Sequence, residues 1–159
     1  GIAQALLGQP KVLIIDEPTA GLDPQERNSF HNLLCGIAER MIVILSTHIV
    51  EDINNLCPEM AILDSGKICF KGSPNQLIES LKNRVWIKTT SSEELESIKQ
   101  QYQVLSIRLN SGLYQVRIIA ESDPGKEFVS IEPDLEDAYF YTLNQNKLNQ
   151  IKPEGDQHA

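Results

Sequence analysis

Two adjacent carboxylates, Asp16 and Glu17, stand at the end of the apolar run Val12-Leu13-Ile14-Ile15 and are closed off by Pro18. Acids in that position have a specific use. One can hold a divalent cation through its water shell, because magnesium keeps several waters and takes only one or two carboxylates. Its neighbour, aimed differently, can orient or deprotonate an attacking water. Taken alone, an Asp-Glu pair reads more simply as two solvated acids at a strand end. His48 is a further candidate, since it follows a second apolar run, Met41–Leu45, through Ser46-Thr47. A histidine after a strand is usually structural. This one gains interest because a parallel strand would end on the edge where Asp16 and Glu17 emerge.

Several elements must position these groups. Val12–Asp16 reads as a strand buried on both faces of a parallel sheet, and in open α/β sheets ligands sit outside the carboxyl ends of the strands. Before it, Ile2, Ala5 and Leu6 fall at helical spacing, with Gly8 as the residue that ends the helix and Pro10 beyond it. After it, Asp23-Pro24-Gln25-Glu26 combines a capping aspartate, a proline suited to the first helical position and a glutamate at capping-box spacing. The helix continues on the stripe Phe30, Leu33, Leu34, Ile37 and Ala38. His31 lies off that stripe and is expected to be a solvated surface residue. Met41–Leu45 predicts a second buried strand. Ile49–Leu56 predicts a short helix with Val50, Ile53 and Leu56 inward. Met60–Leu63 and Lys67–Phe70 flank the tight turn Asp64-Ser65-Gly66, and Ser73-Pro74-Asn75-Gln76 opens a helix through Leu81.

From about Val85 the character changes. Val85–Thr89 alternates, Ser91-Ser92-Glu93-Glu94 can cap a helix with Leu95, Ile98 and Tyr102 inward, and Val104–Leu109 and Leu113–Ala120 alternate around Asn110-Ser111-Gly112. Phe128–Ile131 adds a short strand, and Asp134 can cap a helix with Leu135, Ala138, Tyr139 and Leu143 inward. This order predicts a small α+β domain, ferredoxin-like in topology. No chemistry is evident in it: Glu93, Glu94, Glu136 and Asp137 read as caps and solvated faces. A frayed tail is expected from Lys152 onward.

The chain of 159 residues is long enough for one domain or two small ones. A net charge of −8 argues against electrostatic binding to nucleic acid or an anionic lipid face. No apolar run approaches the length of a membrane span, and no signal segment opens the chain. Cys35, Cys57 and Cys69 are odd in number, show no Cys-x-x-Cys pattern, and are expected to be reduced core thiols.

The succession of the apolar run, Asp16-Glu17-Pro18, Thr19-Ala20-Gly21-Leu22-Asp23, a helix, a second strand and Ser46-Thr47-His48 resembles the ABC ATPase family over about residues 1–80. The resemblance implies an α/β fold: the C-terminal part of a P-loop NTPase parallel sheet, followed by the accessory domain. It makes Val12–Asp16 the Walker B strand, with Asp16 on magnesium. Glu17 becomes the catalytic base, Ala20–Asp23 the D-loop, and His48 the switch histidine that senses the γ-phosphate. Asp23 would link the two sites of a head-to-tail dimer while also capping its helix. Pro133-Asp134-Leu135-Glu136-Asp137 resembles a segment of C-terminal extensions on some bacterial ABC ATPase subunits. The implied domains are 1–82 for the ATPase part, 85–146 for the accessory domain and 147–159 for the tail.

One departure matters. The chain contains no Gly-x-x-x-x-Gly-Lys-[Ser/Thr] phosphate loop, and no LSGGQ-type signature precedes its first helix. It opens on Gly1 with no helix-start cap, so it reads as a fragment that is inactive alone. The expected parent is an ATP- and Mg2+-dependent subunit of a bacterial transporter, with an exporter favoured. Its partners would be a second ATP-binding subunit and a transmembrane permease, at the cytoplasmic face of the membrane. Alternatives are a soluble ABC ATPase acting on ribosomes or DNA, and a non-catalytic interaction module. The acidic charge and the Thr19–Asp23 segment speak against the first; the intact Asp16, Glu17 and His48 speak against the second, and the missing phosphate loop speaks for it.

Overall fold

The computed structural model describes residues 2–125 and 127–151. The chain divides into two compact units, Gly1–Pro58 and Glu59–Ala159.

In the first unit, α1 (Ile2–Leu6), β1 (Val12–Asp16), α2 (Pro24–Ala38), β2 (Ile42–Ser46) and α3 (Val50–Leu56) follow in order. β1 and β2 pair in parallel, with Val12 opposite Ile42 and Asp16 opposite Ser46. Leu13 and Ile15 point to one face and bury themselves with Leu34 of α2; Ile2, Leu6, Phe30, Ile37, Val43 and Leu45 pack around them. Each large aliphatic side chain sunk in this way stabilises the unit by about 1.5–3 kcal/mol. The expectation of strands buried on both faces is corrected here. Ile14 is 74% exposed, Ile42 62% and Ile44 52%, because the helices cover one face only and no described element of this unit covers the other. The alternation of the pleat therefore divides each run into an inner and an outer set.

The helix ends follow local chemistry. Asp23 Oδ1 accepts the Glu26 N–H at 2.8 Å, and Glu26 Oε2 accepts the Asp23 N–H at 3.2 Å, the reciprocal capping box expected at the start of α2. After α1 the left-handed residue is Gln9, at φ 47°, rather than Gly8. Cys35 is exposed on α2, which corrects its reading as a core thiol; Cys57 and Cys69 are half-buried and also free.

The second unit opens with the antiparallel hairpin of β3 (Met60–Asp64) and β4 (Lys67–Gly72). Its turn uses Ser65 at φ 51° and Gly66 at φ 76°, the paired left-handed conformation that matches strand twist. α4 (Pro74–Glu79) carries the expected Ser73–Gln76 capping box but ends at Glu79, short of the buried Leu81. β5 (Val85–Thr90), α5 (Ser92–Gln101), β6 (Gln103–Asn110), β7 (Leu113–Ile119), β8 (Val129–Ser130) and α6 (Leu135–Ile151) complete the unit. The strands form one antiparallel sheet in the order β6-β7-β5-β8. Leu95 and Ile98 of α5 pack on Val116, Ile118 and Phe128.

Two acids expected as caps or on solvated faces are tied to further partners, Asp137 while also sharing the α6 cap with Asp134. Glu94 accepts from the buried Lys88 at 2.7 Å and from Thr90 at 2.5 Å, while Ser91 makes no side-chain capping bond. Taking an ammonium out of water requires a paired carboxylate, and that demand outweighs helix capping here. Asp137 is 1% exposed: its Oδ2 accepts the Asp134 N–H at 3.1 Å and stands 3.0 Å from Arg117, which also pairs with Asp134. α6 runs on to Ile151, and the tail expected from Lys152 lies outside the described residues.

Candidate functional site

The parallel ladder delivers the first three candidate residues to one strand edge. Asp16 and Ser46 are register partners, and the Ser46 hydroxyl donates to Asp16 Oδ1. The Glu17 N–H extends the ladder by donating to the Ser46 carbonyl at 2.9 Å. There the pleat breaks. Glu17 takes φ 45°, a left-handed conformation that non-glycine residues rarely adopt. The Ala20 N–H donates to the Glu17 carbonyl and the Leu22 N–H to that of Thr19, both at 3.2 Å, so the segment leaves the strand through tight turns. Gly21, at φ 81°, supplies the next left-handed position without a Cβ.

The left-handed turn brings Glu17 to His48. Glu17 Oε2 lies 2.7 Å from His48 Nδ1, with the glutamate side chain 36% and the histidine 74% exposed. This is an ion-pair approach without hydrogen-bond alignment: Oε2 is shielded from solvent and meets no aligned donor among the described residues. Asp16 is exposed. No group of three or more His, Cys, Asp or Glu among the described residues could hold a metal by itself. Asp16 with the Ser46 hydroxyl offers one carboxylate and a neighbouring oxygen, a donor set that suits magnesium with most of its water retained. Asp23 stands apart. Its carboxylate is engaged in the α2 cap, and it makes no hydrogen bond or ion pair with Asp16, Glu17 or His48 among the described residues.

Directly behind this edge is a cluster that the sequence did not single out. Asp52, on α3, is fully buried. Its Oδ2 accepts from the Thr19 hydroxyl and from Thr47 Oγ1 at 3.4 Å, and its Oδ1 lies 3.1 Å from His31 Nε2. Thr47 Oγ1 in turn accepts the Ile49 N–H at 3.0 Å. His31 is 8% exposed, which corrects its reading as a solvated surface residue: the buried carboxylate beside it requires a donor that water does not reach. The spacing of Ile49, Asp52 and Leu56 at i, i+3 and i+7 carried the signal, since it puts an acid on the apolar face of α3. Nearer solvent, Arg27 of α2 reaches Glu51 of α3 at 3.7 Å. Burial first, and the Asp52 carboxylate second, push the Cys57 thiol above its ordinary value.

No protein-family model matches the chain. Among curated proteins it is 30% identical over 149 residues to Nod factor export ATP-binding protein I of Rhizobium etli, an alignment covering 87% of this chain and 47% of that protein. Over 96 residues it is 35% identical to the uncharacterized ABC transporter ATP-binding protein YxlF of Bacillus subtilis, covering 60% of this chain and 32% of the relative. Over 76 residues it is 40% identical to ABC transporter A family member 11 of Dictyostelium discoideum, covering 48% and 9%. The chain thus spans about half the length of the first of these relatives, and less of the others. No helix among the described residues is long and apolar enough to cross a membrane. The motif order and the strand-edge geometry agree with this homology: the chain is a homologue of ABC transporter ATP-binding proteins.

Proposed function

We propose that this chain carries the water-activating half of the ATP-hydrolysis site in a transporter's ATP-binding subunit. The observation that supports this most directly is the approach of Glu17 Oε2 to His48 Nδ1 beside Asp16, at the ends of two parallel strands. In this reading the Glu17 carboxylate orients the attacking water and takes its proton. His48 holds that carboxylate in register through Nδ1, which leaves Nε2 for the γ-phosphate. Asp16 is the protein ligand for magnesium, and Asp23 connects two sites across a head-to-tail dimer. Magnesium, when bound, neutralises charge developing on the phosphate oxygens. Phosphoryl transfer demands positioning more than covalent chemistry from the protein, which fits a site built from rigid strand ends.

Residues 1–82 then form the C-terminal part of the ATPase domain, a P-loop-type parallel sheet, with 85–146 an accessory domain and 147–159 a tail. The strand order β6-β7-β5-β8 supports a ferredoxin-like accessory fold. The division after Pro58 groups residues by packing and is compatible with that descent. The printed function of the Rhizobium etli relative supports an exporter. The subunit would work as a dimer on a transmembrane permease at the cytoplasmic face of the membrane. Alone, without a phosphate loop, the 159-residue chain is expected to hydrolyse no ATP.

The test is Glu17→Gln in the full-length subunit. Nucleotide binding should persist while turnover falls by about 10²- to 10⁴-fold, the usual worth of a general base. Near-normal turnover would overturn the assignment.

A further inference from the structure

The cluster behind the strand edge has no role in the chemistry just proposed, yet it joins the loop that follows Glu17 to the loop that carries His48. Thr19 lies two residues beyond Glu17, on the loop leading to Asp23. Thr47 is the residue before His48. His31 belongs to α2 and Asp52 to α3. All three side chains converge on one carboxylate: Thr19 and Thr47 on Oδ2, His31 on Oδ1. A carboxylate only accepts hydrogen bonds. Each of the three is therefore a donor, and the His31 contact requires the proton on Nε2. Asp52 and Thr19 are fully buried and His31 nearly so, which excludes water as a substitute partner. A bond lost from this centre is thus not replaced, and buried networks of this kind behave as units.

Resting on the reading above, we propose that Asp52 is a positioning residue that clamps the loop after Glu17 to the loop of His48. Through Thr19 it fixes where the chain goes after the strained Glu17. Through Thr47, whose Oγ1 also holds the Ile49 N–H, it fixes the backbone on both sides of His48. The 2.7 Å approach of His48 to Glu17 is between partly exposed groups and is not aligned as a hydrogen bond, so it is not self-sustaining. The buried centre behind it supplies the rigidity. The two loops accordingly move as one body.

The test pairs Thr19→Val, which keeps the shape and removes the hydroxyl, with Thr19→Ser, which restores a donor; Asp52→Asn is added where it folds. Amide exchange on the nucleotide-free protein reads the coupling directly. Thr19→Val should speed exchange at Ile49, on the other loop, by about tenfold, and Thr19→Ser should restore it. In the full-length subunit, Thr19→Val should lower kcat by about ten- to a hundredfold while leaving KM for ATP within about twofold, as expected when only the reacting geometry shifts. Unchanged Ile49 exchange overturns the clamp. So does a kcat that is normal in Thr19→Val or equally low in Val and Ser. Glu17→Gln run alongside separates the two ideas. If it is inactive while Thr19→Val is fully active, the clamp alone fails. If it is fully active, the site reading itself fails, and the exchange result still decides whether the loops are coupled.

Discussion

Replacing Glu17 by glycine should leave the fold more stable than replacing it by alanine, while either change removes the activity. The residue sits at φ 45°, where the Cβ of an L-amino acid crowds the following carbonyl at a cost of about 1–2 kcal/mol. Glycine escapes that cost, but its unfolded chain is freer, which takes back about 0.5–1 kcal/mol. The difference is best read against Glu17→Ala. Both variants lose the carboxylate and its partly exposed contact with His48, worth about 0–1 kcal/mol, so those effects cancel in the comparison. Glu17→Gly should therefore exceed Glu17→Ala by up to about 1.5 kcal/mol, centred on about 0.7 kcal/mol, the reverse of the order at an ordinary position, where alanine wins by about 0.5–1 kcal/mol. Urea unfolding with equal slopes for both proteins measures the difference. In the full-length subunit neither variant should turn over ATP. Alanine as stable as glycine, or more so, would show that the left-handed turn is not strained and refute the reasoning.

Two further outcomes are expected. Leu34 is 3% exposed at the centre of the first unit, and Leu34→Ala should destabilise that unit by about 2–5 kcal/mol, measured by urea midpoint or by exchange of the β1 amides. Burial pushes Asp137 above the ordinary aspartate range, with the Asp134 carboxylate adding to it against the opposing Asp134 N–H and Arg117. Burial alone would raise Asp134 too, but hydrogen bonds from Arg117 and the α6 backbone hold it below that range. The signs are opposite. Asp137 contributes stability that is present below the ordinary range and lost as pH rises through its raised value, whereas Asp134 contributes above that range and loses it as pH falls. Asp137→Asn should thus remove the loss on the alkaline side of the ordinary range, while Asp134→Asn should remove the loss on the acidic side. Unfolding midpoints followed from acid to neutral pH would show both, and identical profiles for the two variants would refute the assignment.

What the sequence made legible was what short-range chemistry dictates. Asp23–Glu26 and Ser73–Gln76 each carry both halves of a capping box within four residues, and both boxes form. Asp64-Ser65-Gly66 and Asn110-Ser111-Gly112 name their turns for the same reason, and the order of the strands followed from alternation and punctuation. Burial was harder to read. Val12–Ile15 is apolar throughout, so periodicity cannot say that one face stays open; that depends on which neighbours cover it. The polar centre was hidden for a related reason. His31 and Asp52 are 21 residues apart in sequence and on different helices, and His31 alone looks like a surface residue. Only the crossing of α2 and α3 makes one the necessary partner of the other. Lys88 and Glu94 repeat the lesson, since a buried ammonium redirected an acid that local spacing had assigned to a helix cap. At the site, motif order placed Asp16, Glu17 and His48 together, while the backbone twist that aims Glu17 had no signature in residue type.

The pairing of Asp16 with Ser46 at the end of a two-residue alternation has a consequence for how this segment tolerates change in length. Leu13 and Ile15 face inward and Asp16 falls on the outward phase, so which acid emerges where is a matter of counting residues from the core. Removing one residue from β1, even one as exposed as Ile14, would invert the phase and set an acid against the apolar layer. Exchanging Ile14 for another residue of similar shape leaves the count intact. Same-shape exchanges should thus be tolerated in this strand, and single-residue insertions or deletions nearly absent. A deep insertion–deletion scan would see β1 as a ruler whose length matters more than its outer chemistry.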